Sequence, residues 1–128
     1  MNSTLSSLLV SEDEIAREAI INCLQGLMEI GKVSGNPIPT AAFERLDRTT
    51  KMLTFLVALK AAAMLGVGHR TGATAEELAA IVGSDVKSVR EYASRLKRKF
   101  LTRGPTGYEV PIERIRAVTA EIATRRNE

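Results

Sequence analysis

The chain reads as a mainly α-helical domain with one short β-hairpin and additional helices at its N- and C-terminal ends. Three observations carry that reading. Aromatic residues make up only 4% of the chain and Trp is absent, so the core must be built from Leu, Ile, Val, Met and Ala, whereas strand-rich folds lean on aromatic and β-branched residues. Apolar residues recur at steps of three and four through most segments, the helical period. Only residues 99–110 place turn chemistry between two extended pieces. The 128 residues, 45% hydrophobic and 26% charged, have the composition of an ordinary globular domain.

Ser11-Glu12-Asp13-Glu14 is a capping box, so a helix is expected to begin there. Ala16, Ile20, Cys23, Leu27 and Ile30 then step by four and three along one apolar stripe, and Gly31 is the expected stop. Cys23 lies on that stripe and reads as a packed thiol rather than a nucleophile. Residues 31–39 contain two Gly and two Pro and are expected to be a connector. Thr40 offers a cap for a helix over 41–65, exposed in its first half and apolar nearly all round in its second, with a kink or break near Thr49-Thr50 left open.

The apolar run 52–65 is 14 residues long and falls short of the roughly 20 that span a bilayer. It reads as a buried core helix. The first ten residues lack the basic start of a secretory signal. With a single cysteine and a single histidine, His69, there is no disulfide framework and no zinc-ligand cluster. A cytoplasmic location, with no membrane span and no cofactor, is the expectation.

Gly66, Gly68 and Gly72 mark 67–73 as a loop or a very short extended piece. His69 has no partnered nucleophile or second ligand nearby and reads as a surface loop residue. Thr74-Ala75-Glu76-Glu77 is a second capping box, and Gly83 stops the helix it starts after two turns. Ser84 or Asp85 caps the next helix, expected over 85–99. Val86, Val89, Ala93, Leu96 and Phe100 form its apolar stripe. On the opposite face lie Ser84, Lys87, Ser88, Glu91, Ser94, Arg95 and Arg98, with Arg90 and Lys97 at the flanks.

Net charge is only +3, yet residues 84–110 hold seven basic and three acidic side chains while residues 1–50 hold four basic and seven acidic. Positive potential gathered on one element suits a phosphate-rich partner. The basic cluster coincides with the pair of short helices. Lys99 to Arg103 lose the helical period, Gly104-Pro105-Thr106-Gly107 is turn chemistry and Tyr108-Glu109-Val110 reads as a return strand.

Ala79, Gly83 and Val89, spaced by four and six with apolar Leu78, Val82 and Val86 beside them, resemble the helix-turn-helix signature of DNA-binding proteins. A small residue lets the helices approach, a glycine takes the positive φ of the turn, and a valine fills the angle. With the core helix before and the hairpin after, residues 52–110 resemble the winged helix-turn-helix family of small prokaryotic-type transcriptional regulators, the family's small first strand falling within 67–72.

The resemblance implies double-stranded DNA as partner, with helix 85–99 in the major groove and wing 100–110 on the backbone or minor groove. Lys87 and Arg90 are then the candidates for guanine edges, and Ser84, Ser88 and Ser94 for phosphate. Arg95 and Arg98 would meet the backbone, and Arg103 and Thr106 carry over to the wing tip. Glu91 either accepts from cytosine or pairs with Lys87 or Arg95.

Pro111 opens a last helix whose stripe is Ile112, Ile115, Thr119 and Ile122. Winged regulators commonly dimerise through helices outside the DNA-binding core. The resemblance therefore implies a homodimer through helices 12–30 and 111–126, with Ile20, Leu27, Ile115 and Ile122 at the interface; the alternative is that these helices pack on each other within one chain. The expected division is 1–39, 40–110 and 111–128. An apolar small-molecule effector pocket between helix 12–30 and the core would leave no motif. A winged helix used as a protein-interaction module in a transcription, replication or partition assembly is the other reading of the same residues. An enzyme is not expected, since there is no Gly-rich phosphate loop, metal-ligand cluster or glycine-flanked nucleophile.

Overall fold

The structure, a computed structural model, describes residues 5–126. It is mainly helical with two small antiparallel hairpins. After a 3-10 turn at Leu5–Leu8, α1 spans Glu12–Leu24. Its first turn is held by Ser11, whose hydroxyl accepts from the Glu14 N–H, and by the Arg17–Asp13 pair at 2.7 Å.

α1 ends six residues before the expected stop. Glycine costs a helix interior about 1 kcal/mol, and the chain turns at Gln25-Gly26 into strand β1, Met28–Ile30. β1 pairs with β2, Pro37–Pro39, in the register Met28 with Pro39 and Ile30 with Pro37. The expected connector is therefore a hairpin. Leu27 and Ile30 fit a helical stripe on paper, but Leu27 is buried from a turn and Ile30 is half-buried from a strand.

The segment 41–65 divides at 45–47, slightly ahead of Thr49-Thr50. α2 is the single turn Ala41–Glu44, and α3 spans Arg48–Met64. Asp47 dictates the break, because its carboxylate accepts from the Thr50 N–H at 2.7 Å and caps α3. Thr40 makes no side-chain cap bond to α2; its hydroxyl donates to the Gly26 and Leu27 carbonyls at 2.6 and 3.0 Å, tying α2 to the end of the α1 turn. α3 is buried on nearly every side from Met52 to Leu59 and packs against α1, both strands of the first hairpin and the C-terminal helix.

α4 spans Ala75–Val82 and α5 spans Val86–Leu96. Between α3 and α4 the chain is extended only at Ala73, which forms an isolated antiparallel bridge with Tyr108. Thr74 caps α4 by accepting from the Glu77 N–H. The reciprocal half of that capping box is not made as expected: the Glu77 carboxylate is taken by both guanidinium nitrogens of Arg70. The second hairpin pairs β3, Thr102–Gly104, with β4, Gly107–Glu109. A 3-10 turn at Ile112–Arg114 leads into α6, Ile115–Arg126.

α6 lies on α1 and α3. Ile20, Leu27, Ile115 and Ile122, expected at a dimer interface, are 5%, 1%, 0% and 0% exposed within one chain. The buried part of each stripe is thus covered by the other helix and by α3, while Ile112 stays 36% exposed in the 3-10 turn; none of those four side chains is available to a second copy. One apolar cluster runs from Ala16 to Ile122, so the segments 1–39, 40–110 and 111–128 share a single core. No helix among the described residues is long and apolar enough to cross a membrane.

Candidate nucleic-acid interface

The site is built from α4, α5 and the β3–β4 hairpin. Gly83 closes α4 with φ +70° and ψ 41°, and its N–H and that of Ser84 both reach the Ala79 carbonyl. Only glycine takes that left-handed conformation without steric cost. The chain leaves in a new direction, and α5 starts at once. Val89 and Ala93 are fully buried and Leu96 is 7% exposed, so α5 is anchored by one face, packing on α4. Arg114 supports its far end by donating to the carbonyls of Lys97 (3.2 Å) and Leu101 (2.8 Å).

The outward face of α5 carries Lys87, Arg90, Glu91, Ser94 and Arg95, all exposed, with Ser88 half-buried. Ser84, half-buried, precedes the helix, and because α5 ends at Leu96 rather than at the expected residue 99, exposed Arg98 lies in the turn that follows it. Lys87 and Arg98 form no ion pair among the described residues. Arg90 stands 3.8 Å from Glu76, with both side chains more than 60% exposed, a pair worth at most about 1 kcal/mol. Glu91 makes neither of its expected ion pairs. The Arg95 guanidinium instead stacks 5.5 Å from the Tyr92 ring centroid and reaches the Glu91 backbone carbonyl at 3.5 Å.

Asp85 occupies the N-cap of α5. Hydrogen bonding from Ser88, with a smaller part from Ser84, outweighs burial and holds its carboxyl below the usual carboxylate range. The Ser84 hydroxyl lies 3.4 Å from that carboxylate. Ser84 and Ser88, both half-buried, thus share the Asp85 carboxylate as a neighbour. Ser94 is exposed on the helix face, clear of Asp85.

On the hairpin, Arg103 and Tyr108 are cross-strand partners, and the guanidinium lies 5.0 Å from the ring centroid. Arg103 is exposed, held by cation–π contact rather than by an acid. The Thr106 hydroxyl is already engaged, accepting from the Gly72 N–H at 3.0 Å. Its role is to fasten the hairpin turn to the segment before α4.

Sequence reasoning missed Arg48, Thr49 and Lys51, which line one groove with Gly83 and Tyr92 beside the α4–α5 turn. They belong to the first turn of α3, more than thirty residues from the basic cluster, and no local pattern links the two. Lys51 is partly occupied by Glu44 at 3.5 Å. His69 is exposed in its loop. Cys23 is buried, and burial pushes its thiol up to about 11 against the opposing charge of Arg126. Among the described residues no group of three or more His, Cys, Asp or Glu could hold a metal ion.

No protein-family model, curated protein or solved structure matches the chain.

Proposed function

We propose that this chain is a DNA-binding protein of the winged helix-turn-helix class, acting as a transcriptional regulator that places α5 in the major groove and the β3–β4 hairpin beside the backbone or minor groove. The order of elements supports the class: a core helix (α3), a one-residue bridge at Ala73, two helices joined at a left-handed glycine, and a hairpin whose return strand pairs with the bridge. The observation that carries the reading is the division of α5 into two faces. Val89, Ala93 and Leu96 are buried, while Lys87, Arg90 and Arg95 project to solvent, with Arg98 exposed in the turn that follows. A helix fixed by one side and cationic on the other meets the geometric demand of a groove about 12 Å wide.

The stacked guanidiniums of Arg95 and Arg103 have fewer rotamers to lose on meeting phosphate. Arg48, exposed at the start of α3, extends the cationic surface past the α4–α5 turn. The test is a fluorescence-anisotropy titration of a random duplex and a genomic-fragment pool at several salt concentrations. Each neutralised phosphate should add about 0.9 to the slope of log affinity against log salt. Affinity that does not respond to salt, or no binding at low salt, overturns the proposal.

A further inference from the structure

Between α1 and the C-terminal end of α3 lies a small pocket of about 130 Å³, lined by Arg17, Ile20, Ile21, Ala61, Met64 and Leu65. Ile20 and Ala61 are buried and form its floor, while Ile21 and Leu65 stay exposed at its mouth. Ala61 leaves open the space that a longer side chain on α3 would fill. Arg17 brings the one polar side chain to this lining, and it is held in place. Its Nε donates to the Asp13 carboxylate at 2.7 Å and its Nη2 to the Met64 carbonyl at 3.2 Å, one of the last carbonyls of α3, which the helix itself leaves without a partner. Bonds to two different nitrogens fix the plane of the guanidinium, and Nη1 makes no hydrogen bond among the described residues.

We infer that this pocket binds a small neutral molecule that joins an apolar body the size of one ring to a single acceptor oxygen, a ketone or an ester for example. Volume sets the body. A cavity of about 150 Å³ lined by aliphatic side chains holds one benzene ring, so the pocket takes one such group and no stretch of peptide. The aliphatic lining favours an apolar body, and one placed polar group is the usual means of orienting a ligand in such a site. Arg17 supplies it, because its unused donors are already fixed in direction and lose little freedom on meeting an oxygen.

Charge argues for a neutral ligand. The Arg17 charge is matched by Asp13, and Glu14 and Glu18, exposed on the same helix, form no ion pair among the described residues. The field along this part of α1 is therefore net negative and disfavours an anion. A cation would meet the guanidinium itself. A neutral oxygen accepts from Arg17 without either penalty.

The test is a titration of the full chain, without DNA, followed by amide NMR shifts, with acetophenone as the probe and toluene and benzoate as comparisons. Acetophenone should give saturable shifts centred on residues 17–21 and 61–65. It should bind about tenfold more tightly than toluene, the low end for a hydrogen bond to a charged group, and more tightly than benzoate. R17M keeps an apolar stem and loses the donor, so it should bind acetophenone no better than toluene. I21D, at an exposed position, should abolish binding of both. No saturable shift up to the solubility limit, shifts centred elsewhere, equal affinity for acetophenone and toluene, or tighter binding of benzoate overturns the inference. So does a preference for acetophenone that survives R17M, or wild-type binding by I21D. The comparison of the three ligands uses the wild-type chain and does not depend on either variant folding. The pocket shares no residue with α4, α5 or the second hairpin, so failure here leaves the DNA-binding reading standing.

Discussion

Ala73 and Tyr108 exchange both backbone hydrogen bonds, at 3.0 and 2.8 Å, and this single bridge joins the entry of α4 to the return strand of the hairpin. Because the bridge precedes the two site helices and the hairpin follows them, it fixes the angle between α5 and the β3–β4 tip. Thr106 and the Lys60–Glu109 pair at 4.0 Å reinforce the same junction.

Gly107 makes the junction feasible. Its φ is +126°, and a Cβ there would stand 2.2 Å from the Ala73 carbonyl oxygen. Replacing it with Ala should lower stability by about 2 kcal/mol and weaken DNA binding by loosening the hairpin. Urea denaturation measures the first effect; an unchanged midpoint would show that the bridge is dispensable.

Changing Lys87, Arg90 and Arg95 together to Ala should cost at least about thirtyfold in DNA affinity, taking about 1–3 kcal/mol for each of the base-reading contacts of Lys87 and Arg90, with the backbone contact of Arg95 adding to it. The fold should persist, since all three side chains are exposed. Anisotropy at fixed salt together with a thermal melt separates the two; unaltered affinity would remove α5 from the groove.

Asp47 should matter for stability in a pH-dependent way. Burial raises its carboxyl's pKa, but the hydrogen bond from the Thr50 N–H and the charge of Arg125, 3.9 Å away, more than offset this and leave it below the ordinary value. A carboxyl with a depressed folded-state pKa contributes stability that is present above its unfolded pKa and lost as pH falls through the folded one. Asp47→Ala should therefore cost about 1 kcal/mol at pH 7, and the gap to wild type should narrow as pH drops below about 4. A gap that stays constant down to pH 2 would contradict the assignment.

Thr50 has a buried hydroxyl with no hydrogen-bond partner among the described residues, although the neighbouring Thr54 hydroxyl donates to the Thr50 carbonyl. Valine has the same shape without the unsatisfied group, so Thr50→Val should stabilise by about 1 kcal/mol. A lowered melting temperature would mean that the hydroxyl is satisfied in solution.

The stretch from Thr74 to Leu96 was legible because its determinants are local: a cap, a stripe, a glycine and a second stripe within about twenty residues. The β1–β2 hairpin was not, because Leu27 and Ile30 satisfy a helical spacing as well as a turn and a strand, and only the Gln25-Gly26 stop distinguishes them. Ile115 and Ile122 were legible as buried but not as buried by what, since a stripe covered by its own chain and one covered by a copy have the same period. Thr106 and Arg114 owe their roles to partners 13 to 34 residues away, a separation no window of sequence reports.

The two prolines of β2 have a consequence for how the molecule behaves in a crowd. Thr40 donates inward to Leu27, and Asn36 accepts from Gly31, so the even-numbered residues of this strand face β1 and the outward amides would belong to positions 37 and 39. Both are proline and have no amide hydrogen to offer. A stray extended peptide meeting that border finds acceptors without donors and cannot stitch itself on, which guards the hairpin against amyloid-like templating.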